Sequence, residues 1–468
     1  MSNNNSKIQT INPATGKVIS SYDIMSIDQI ERIAQNARNA FEKWKKLEIL
    51  ERSDYTRNLA KILSKNKERY AEMITEEMGK PITQSIAEIE KCALVCEYYS
   101  ENAESFLRDE LVPTEFRKSF ISFEPLGVVA GIMPWNFPFW QVMRYAVPTL
   151  IAGNTAILKH SSVCLGSALQ IQEAFVESGF PENVFQCIIG DYKAGETLVQ
   201  SDNIDAVSVT GSVSTGKRVA ELAARGLKKC VLELGGSDPF IVLEDADLNQ
   251  TAHLAAQSRL LNTGQSCIAA KRFIVVKDVA EKFSKLFAQN VESEVVGDPM
   301  NSKTTIGPLV RESQLQTLVN QVEDAKSKTA KILTGGKIIA GDGYFYEPTV
   351  ISNVNHKMLI LNEEVFGPAA PLIVVDNEID AIWEANNSEF GLGASIWTSN
   401  FERGLRLARE IRSGVVRVNE MVRSDPRLPF GGIKSSGIGR ELSQFGIREF
   451  VNVKSIVVKD ISHKLLVE

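Results

Sequence analysis

The sequence predicts an α/β protein in which parallel sheets are covered by helices, and two observations support this fold class. From residue 127 onward, short apolar runs alternate with stretches of helical periodicity in two successive series. Such alternation is typical of parallel sheets with helices on both faces. The chain has 468 residues, which is more than one ordinary hydrophobic core accommodates, so two large domains are expected.

Helices are predicted for most of the region that precedes these series. Ser26 and Asp28 provide a plausible helix start, and the apolar residues between positions 27 and 41 recur at helical spacing. Helical patterns continue to residue 110, and residues 118–124 alternate enough to form a separate strand.

The first series, between residues 127 and 236, is predicted to form a sheet whose strands are separated by helices. Sheets of this kind bind nucleotides at the carboxyl ends of their strands. The strand candidates are "GVVAGIM", "TAILK", "VFQCII", "AVSVTG" and "CVLELGG".

The second series predicts another such sheet, and the chain ends in a strand that needs a partner. The terminal strand "FVNVKSIVVK" (450–459) is expected to pair with residues 118–124, within the chain or across a dimer. The strand candidates are "PFIVL", "RFIVV", "TAKILTGG", "APLIVV" and "GASIWTS", with helices near 247–260, 277–292, 311–328 and 400–412.

Composition excludes several classes of protein. A net charge of −6 argues against a nucleic-acid surface, which would show a basic excess. The polar N-terminus is unlike a signal peptide, and no apolar run has the length of a membrane span, so no membrane partner is expected. Six cysteines form no disulfide framework at this length and fit the reducing cytoplasm. Cys92 and Cys96 lack a second ligand pair, so no metal site is predicted.

The glycine motifs give an ambiguous nucleotide signal. No G-x-G-x-x-G fingerprint is present, but residues 211–218 nearly match a phosphate loop. The match fails at Arg218, where a hydroxyl would have to hold magnesium, so an NTPase is not favoured. Small residues before a helix that begins near Ser214 still suit a phosphate at a helix start, and a plain strand-to-helix turn is the alternative.

Cys267 is the candidate nucleophile, in the polar turn "NTGQSCIAAKRF". A free thiol is only a few per cent thiolate at neutral pH, so a catalytic one needs donors, a base or a helix start nearby. An oxidation through a thiol also requires donors for an oxyanion, an acceptor for hydride and a base that activates water.

Three other segments offer such groups, and each has an ordinary structural alternative. Asn136 is held between two prolines in "MPWNFPFW" and suits an oxyanion donor, but it also suits a turn. Glu233 ends an apolar strand before two glycines, where a carboxylate is either paired or functional. In "NEEVFGP", one of the acids could bind a ribose hydroxyl and Phe366 could pack on a ring. The alternative is a charged loop that covers an aromatic residue of the core.

Taken together, these stretches resemble the aldehyde dehydrogenase superfamily. The motifs lie in the family's order between residues 134 and 441, and the separation of cysteine and glutamate (267 − 233 = 34) also fits the family. The motifs are "PWNFP", "AILKHSS", "VTGSVSTG", "LELGGSDP", "GQSCIAAKRF", "NEEVFGP" and "LPFGGIKSSGIGRE".

The resemblance implies an aldehyde dehydrogenase-like fold with a Rossmann-type parallel-sheet cofactor domain, an α/β catalytic domain and a small β extension for oligomerisation. A homodimer or homotetramer is therefore expected. The implied ranges are 1–110 and 126–235 for the dinucleotide-binding domain, 236–445 for the catalytic domain, and 111–125 and 446–468 for the oligomerisation strands.

Position within the motifs also implies roles. Cys267 attacks the aldehyde to form a thiohemiacetal, and Asn136 with the backbone N–H of Cys267 holds the oxyanion while hydride passes to the nicotinamide. Glu233 then activates water to hydrolyse the thioester. The residues that match the family's cofactor contacts are Trp135, Lys159, Ser162, Gly211, Ser212, Leu234, Glu364 and Phe366.

The preferred cofactor is predicted to be NADP, with NAD as a second one. Lys159 matches the lysine that reaches the adenosine ribose, and Ser162 stands where NAD-preferring relatives often carry a glutamate. A carboxylate there would repel a 2′-phosphate, whereas a hydroxyl beside a lysine would accept it.

The amino acids within the motifs most resemble those of the succinate-semialdehyde dehydrogenase branch. Arg144 matches that branch's carboxylate-binding arginine, although a surface ion pair is the alternative. Ser424 and Arg427 are expected at the same mouth. Many members carry a second arginine six residues before the cysteine, where this chain has Leu261, so half of that clamp is absent.

Two other functions are open at this point. One is a CoA-acylating reductase of the same fold, which would make the semialdehyde from an acyl-CoA such as succinyl-CoA. Relatives with that activity usually lack the glutamate, so Glu233 argues for hydrolysis. The other is a non-catalytic scaffold, which the complete set of Cys267, Asn136, Glu233 and Glu364 argues against.

Overall fold

The computed structural model describes residues 7–459. Residues 1–6 and 460–468, which belong to the predicted cofactor domain and oligomerisation strands, lie outside the described residues. The helices are α1 (Ile27–Trp44), α2 (Ile49–Lys65), α3 (Lys67–Met78), α4 (Ile82–Leu107), α5 (Trp140–Ile151), α6 (Leu165–Glu177), α7 (Tyr192–Gln200), α8 (Val213–Arg225), α9 (Leu248–Leu260), α10 (Lys277–Glu292), α11 (Glu312–Ser327), α12 (Leu359–Asn362), α13 (Glu378–Asn386), α14 (Phe401–Glu410) and α15 (Ser443–Ile447). The strands are β1 (Lys7–Ile11), β2 (Val18–Asp23), β3 (Glu110–Leu111), β4 (Lys118–Pro125), β5 (Val128–Met133), β6 (Thr155–His160), β7 (Phe185–Ile188), β8 (Ala206–Thr210), β9 (Lys229–Glu233), β10 (Asp238–Val242), β11 (Ala270–Val276), β12 (Lys331–Thr334), β13 (Thr349–Ser352), β14 (Ala369–Val375), β15 (Gly393–Trp397), β16 (Val415–Val418), β17 (Gly437–Ile438) and β18 (Val451–Val458).

The N-terminal region is helical as predicted, after a hairpin of β1 and β2 that the sequence did not reveal. The predicted start of α1 is confirmed, because the Ser26 hydroxyl accepts the Gln29 backbone N–H and the Gln29 side chain accepts the Ser26 N–H. This reciprocal capping satisfies two backbone donors that the first helical turn cannot satisfy itself. Helix α4 packs on both α2 and α5, so it connects the N-terminal helices to the region of the site.

The first predicted parallel sheet is confirmed. Its strand order is β17-β9-β8-β5-β6-β7, and all pairs are parallel except that of β17 with β9. Helix α8 begins at Val213 with Ser212 as its cap, one residue earlier than expected. The short antiparallel strand β17 brings a distant segment onto Glu233, with which Gly437 is in register.

The second sheet is also confirmed and has the order β12-β13-β14-β11-β10-β15-β16. It is parallel from β13 to β16, while β12 joins antiparallel to β13. Sequence analysis missed β13, α13 and β16. Both missed strands have only four residues, so their apolar runs are too short for periodicity to distinguish from loop.

The predicted pairing of the C-terminal strand occurs within the chain. Strand β18 runs antiparallel to β4, from Val451 opposite Pro125 to Val458 opposite Lys118, and β3 adds to the other edge of β4. Strand β18 is thus an edge strand, and most of its side chains are exposed. Among residues 7–459, no helix has the length and apolarity that crossing a membrane requires.

Candidate active site

The predicted nucleophile lies on a buried loop that is clamped by distant segments. The loop follows α9 and includes a short 3-10 turn, Leu261–Gly264, in which Asn262, Thr263 and Gly264 all have positive φ angles. A left-handed backbone at non-glycine residues costs about 1–3 kcal/mol each and persists only where the surroundings enforce it. A distant segment holds this conformation, because the Asn262 N–H donates to Gln84 Oε1 at 2.8 Å.

Asn136 is tied to this loop by amide hydrogen bonds. Its Nδ2 donates to the carbonyl of Gln265 at 3.1 Å, and Asn262 Nδ2 donates to the Asn136 carbonyl at 2.8 Å. Asn136 is buried, and its Oδ1 has no hydrogen-bond partner among the described residues. The amide is therefore fixed beside the loop that carries Cys267, which is more than the turn-forming alternative requires.

Cys267 itself is partly buried and its thiol is protonated at neutral pH. Burial raises the pKa of Cys267 to about 12, while Arg144 and Lys271 oppose that rise. Lys271 donates to the carbonyls of Ser266 at 2.8 Å and Cys267 at 2.6 Å. Of the three possible kinds of activation, a helix start does not apply, because Cys267 lies in a turn and not at the beginning of a helix. Any activation of the thiol must come from the nearby charges.

Glu233 is the least satisfied carboxylate of the described chain. It is 2% exposed, and neither carboxylate oxygen has a hydrogen-bond partner among residues 7–459. Burial, and then the nearby Glu441, raise the pKa of Glu233 well above its ordinary range. Buried polar groups without partners are rare in native proteins and call for a functional explanation. A buried carboxyl group with a raised pKa and no hydrogen-bond partner is a candidate for proton transfer.

A cavity of about 940 Å³ opens on Cys267. Its lining includes the three residues that sequence analysis assigned to the substrate, Arg144, Ser424 and Arg427, whereas Asn136 and Glu233 do not line it. The cavity is therefore on the substrate side of the cysteine. Apolar atoms make up most of its surface, as in typical small-molecule sites, but charged and polar side chains also line it.

The alternative of a surface ion pair for Arg144 is wrong, because the pair is buried. Arg144 is 2% exposed and forms a salt bridge with Glu441, and its Nη2 donates to Thr210 Oγ1 at 3.3 Å. Its guanidinium also lies 4.7 Å from the centre of the Phe430 ring. The charge of Arg144 is thus matched within the protein, and its contact with a substrate carboxylate stays a prediction.

The two other predicted substrate residues differ in their surroundings. Ser424 is buried, and its hydroxyl accepts a hydrogen bond from Lys91 Nζ at 2.6 Å. The side chain of Arg427 is 76% exposed and is paired with Asp425 at 2.7 Å. Arg427 therefore lies at the mouth of the cavity, while Ser424 lies inside it.

Glu364 and the aromatic residues form the wall between the thiol and the first sheet. Glu364 Oε1 accepts the Gly236 N–H at 3.0 Å and lies 3.3 Å from Lys271 Nζ. The rings of Trp135 and Phe366 meet edge to face, with centroids 5.6 Å apart. This arrangement favours the predicted ring-binding role of Phe366 over simple core packing, because both rings are only partly buried.

The remaining predicted cofactor residues lie at the carboxyl ends of β6, β8 and β9. Lys159 is the penultimate residue of β6 and Ser162 lies just beyond the strand, while Gly211 and Ser212 connect β8 to α8. Leu234 is buried against Gly216 of α8, where a Cβ would approach within 2.4 Å. Parallel sheets bind dinucleotides along this edge, with phosphate at a helix start.

An unpaired cation supports the fit of this edge to an anionic cofactor. Lys159 is largely buried, and burial lowers its pKa, yet no hydrogen bond or ion pair engages its ammonium among residues 7–459. Ser212 and Ser214 are exposed at the start of α8. No group of His, Cys, Asp or Glu in the described part of the chain could hold a metal ion.

Four residues of the site were missed from the sequence. They are Lys91, Glu441, Lys271 and Asn262. Glu441, Lys271 and Asn262 had a local signal, because they lie within the quoted motifs, whereas Lys91 lies in no motif.

Comparisons with known proteins agree with this geometry. The model of the "Aldehyde dehydrogenase family" matches residues 1–456. The chain is 46% identical over 96% of its length to a "Probable succinate-semialdehyde dehydrogenase (NADP(+))" of Synechocystis sp., of which 99% is covered. It is 41% identical over 96% of its length to "Succinate semialdehyde dehydrogenase (NAD(P)+) Sad" of Escherichia coli, of which 97% is covered. The crystal structure of succinic semialdehyde dehydrogenase from Streptococcus pyogenes, in complex with NADP+, superposes with a TM-score of 0.95 at 35% identity, covering 97% of this chain and 100% of that one.

Proposed function

The chain belongs to the aldehyde dehydrogenase family, and on that premise we propose that it oxidises succinate semialdehyde to succinate with NADP. Relatives named for this substrate and cofactor align along nearly the whole chain. The observation that carries the proposal is the presence of a thiol and a carboxyl group whose pKa values burial raises and the same buried cation, Arg144, acts to lower. Cys267 opens on a substrate-sized cavity, and Glu233 is buried with both oxygens unengaged among the described residues.

The first step forms a bond between Cys267 Sγ and the aldehyde carbon. The thiol proton leaves to solvent, and the carbonyl electron pair moves to oxygen as an oxyanion. Asn136 Nδ2 and the Cys267 N–H are the proposed donors to it, because preorganised donors contribute more in a site that excludes water. When bound, the nicotinamide accepts hydride from the former aldehyde carbon, which leaves a thioester on Cys267.

Glu233 acts in the second step. It removes a proton from water as the water attacks the thioester carbon, the C–S bond breaks, and succinate and the cysteine thiolate are released. Because burial and Glu441 keep the pKa of Glu233 high, the carboxyl must first lose its own proton. Hydrolysis should therefore accelerate as pH rises.

Neither alternative weighed from the sequence is supported. A CoA-acylating reductase must keep water from the thioester, whereas Glu233 is a candidate base with no competing partner in the described structure. A scaffold has no need of strain at Asn262 and Thr263. The proposal is tested by supplying succinate semialdehyde and NADP with and without CoA and identifying the product. Free succinate in both reactions is expected, and a CoA-dependent thioester would reject hydrolysis.

The preference for NADP is proposed to depend on Lys159 and Ser162. A 2′-phosphate would gain a hydroxyl and an ammonium that lacks a partner among residues 7–459. The S162E variant should reverse the preference by placing a carboxylate beside the ribose, with S161A as the matched neighbour. Comparison of kcat/KM for both nicotinamides measures this. A wild-type enzyme tenfold more efficient with NAD would contradict the assignment.

We also propose that the chain forms a homodimer or homotetramer and that the 6-stranded, 7-stranded and 3-stranded sheets represent the three predicted domains. The supporting feature is β18, an exposed edge strand with Val453 and Val457 on its surface. Exposed edges of this kind invite pairing with another chain. A V453K/V457K variant should shift the mass measured by light scattering toward the monomer.

A further inference from the structure

Lys91 is a cation of the cavity that has no anionic partner among the described residues. Lys91 lies on α4 and lines the same cavity as Cys267. Its Nζ donates to Ser424 Oγ at 2.6 Å and lies 4.1 Å from the centre of the Trp140 ring. No carboxylate forms an ion pair with it in the described part of the chain. Burying an ammonium without a counter-ion costs free energy. An anion that enters the cavity would therefore gain a partner in Lys91.

The other cations around the cavity are already engaged or exposed. Arg144 is matched by Glu441, and Arg427 by Asp425 at the mouth. Arg423, whose Nη2 donates to the sulfur of Met421 at 3.0 Å, has no ion pair among residues 7–459 either, but its side chain is exposed. Inside the cavity, Lys91 is therefore the cation most available to an incoming anion.

The position of Leu261 strengthens this assignment. Leu261 lines the cavity where sequence analysis noted the absence of a second arginine. Lys91 enters the same cavity from a helix that lies some 170 positions earlier (261 − 91 = 170). The uncharged Leu261 on the cysteine loop thus lines the same cavity as the positively charged Lys91 on α4.

We propose that Lys91, together with Ser424, binds the distal carboxylate of the semialdehyde and makes the enzyme selective for ω-carboxylate aldehydes. This inference rests on the proposed function and names a residue for its specificity. Because Lys91 donates to Ser424 Oγ, the Ser424 O–H proton is free to point into the cavity. The pair then presents N–H and O–H donors together, and charge-assisted hydrogen bonds of this kind are the stronger ones.

The test compares an acidic with a neutral aldehyde of the same carbon count. K91M, K91R and wild type are assayed with succinate semialdehyde and butanal at saturating NADP, with K61M on the exposed face of α2 as the matched control. K91M should lower the ratio of kcat/KM for the two substrates by about 10- to 100-fold, the range of a lost hydrogen bond to a charged group. K91R should retain a larger part of the ratio, because it keeps the charge. An unchanged ratio in K91M would overturn the proposal and leave only a structural contact with Trp140.

A binding experiment separates this proposal from the proposed function. Succinate is titrated into the enzyme by calorimetry, which needs no turnover. Its Kd should rise about tenfold or more in K91M. If wild type binds succinate through Lys91 but does not oxidise the semialdehyde, the proposed function fails alone. If it oxidises the semialdehyde and K91M binds succinate normally, the inference fails alone.

The pH dependence of succinate binding provides a second signature. Burial, and then the neighbouring Arg144, lower the pKa of Lys91 to about 8, while Arg423 acts in the same direction and Glu88 and Cys92 oppose it. The ammonium is charged below that pKa and neutral above it. Affinity for succinate should therefore fall above about pH 8 in wild type and stay flat in K91R. The same fall in K91R would point to another titrating group.

Discussion

The cysteine loop and the phosphate turn are built in opposite ways. In the loop Asn262–Cys267, most residues are buried and three successive ones are left-handed. Its bonds come from far along the chain, including Val310 N–H to Gln265 Oε1 at 3.0 Å. The turn at Gly211–Thr215 is partly exposed, and the side-chain bonds of Ser212 stay within the turn. The cysteine loop is thus stabilised by hydrogen bonds from distant segments, whereas the phosphate turn is stabilised by hydrogen bonds within the turn.

The difference follows from the chemistry that each segment is proposed to serve. A covalent bond requires the attacking atom within a fraction of an ångström of its target, and misplacement by 1 Å can cost two orders of magnitude in rate. A phosphate needs only backbone and hydroxyl donors at a helix start. Long-range clamping is therefore expected around Cys267, while local capping suffices at Ser212.

The largest effect should come from removing the sulfur. C267A should lower kcat/KM for the semialdehyde by about 10⁴-fold or more, as loss of a nucleophile does elsewhere. NADPH formation followed by absorbance measures the loss. C230A is the matched control, since Cys230 is also partly buried but lies on β9 outside the cavity. Substantial oxidation by C267A would remove the covalent mechanism.

The burial of the cysteine loop also raises the pKa of Cys267, and the rate of alkylation of the thiol tests this. Burial raises the pKa of Cys267 to about 12, so the thiolate fraction of the free enzyme should grow about tenfold per pH unit below that value. The rate of iodoacetamide inactivation should then rise about 10³-fold from pH 7 to pH 10. A plateau below pH 9 would mean that a nearby cation activates the thiol more strongly than burial suppresses it.

Asn262 tests the clamp itself. N262G keeps a backbone that tolerates the φ of 55° but removes the amide that bonds Asn136 and Gln265. We expect kcat to fall about 10- to 100-fold and the free energy of unfolding to fall by about 1–3 kcal/mol. The N136A/N262G double variant should lose less than the sum of the two, because both side-chain amides donate to the same carbonyl of Gln265. A kcat within twofold of wild type would make Asn262 structural only.

The same contrast explains what the sequence could predict. The turn at Gly211 and the start of α8 were predicted to within one residue, because their determinants are neighbours in sequence. The strands and the Cys267 motif were found for the same reason. Lys91 and Gln84 reach the cysteine region from more than a hundred residues away, and nothing local distinguishes them from polar residues of the surface. Arg144 was located correctly, but its pairing with Glu441 depends on how α15 packs against α5.

The smallest effect should arise at the phosphate turn. S212A removes the cap of α8, whose hydroxyl accepts the Thr215 N–H at 3.2 Å, and such a loss costs about 0.5–2 kcal/mol. We expect the KM for NADP to rise about 2- to 10-fold, measured at saturating aldehyde, with S214A as the exposed neighbour control.

S212G separates the two reasons for the effect, because glycine caps nearly as well as serine but has no hydroxyl. If S212G resembles wild type, the hydroxyl acts through the helix; if it resembles S212A, the hydroxyl acts on the phosphate. A kcat loss in S212A as large as that of N262G would mean that the turn, too, is coupled to the reacting atoms, and the contrast between the two regions would fail.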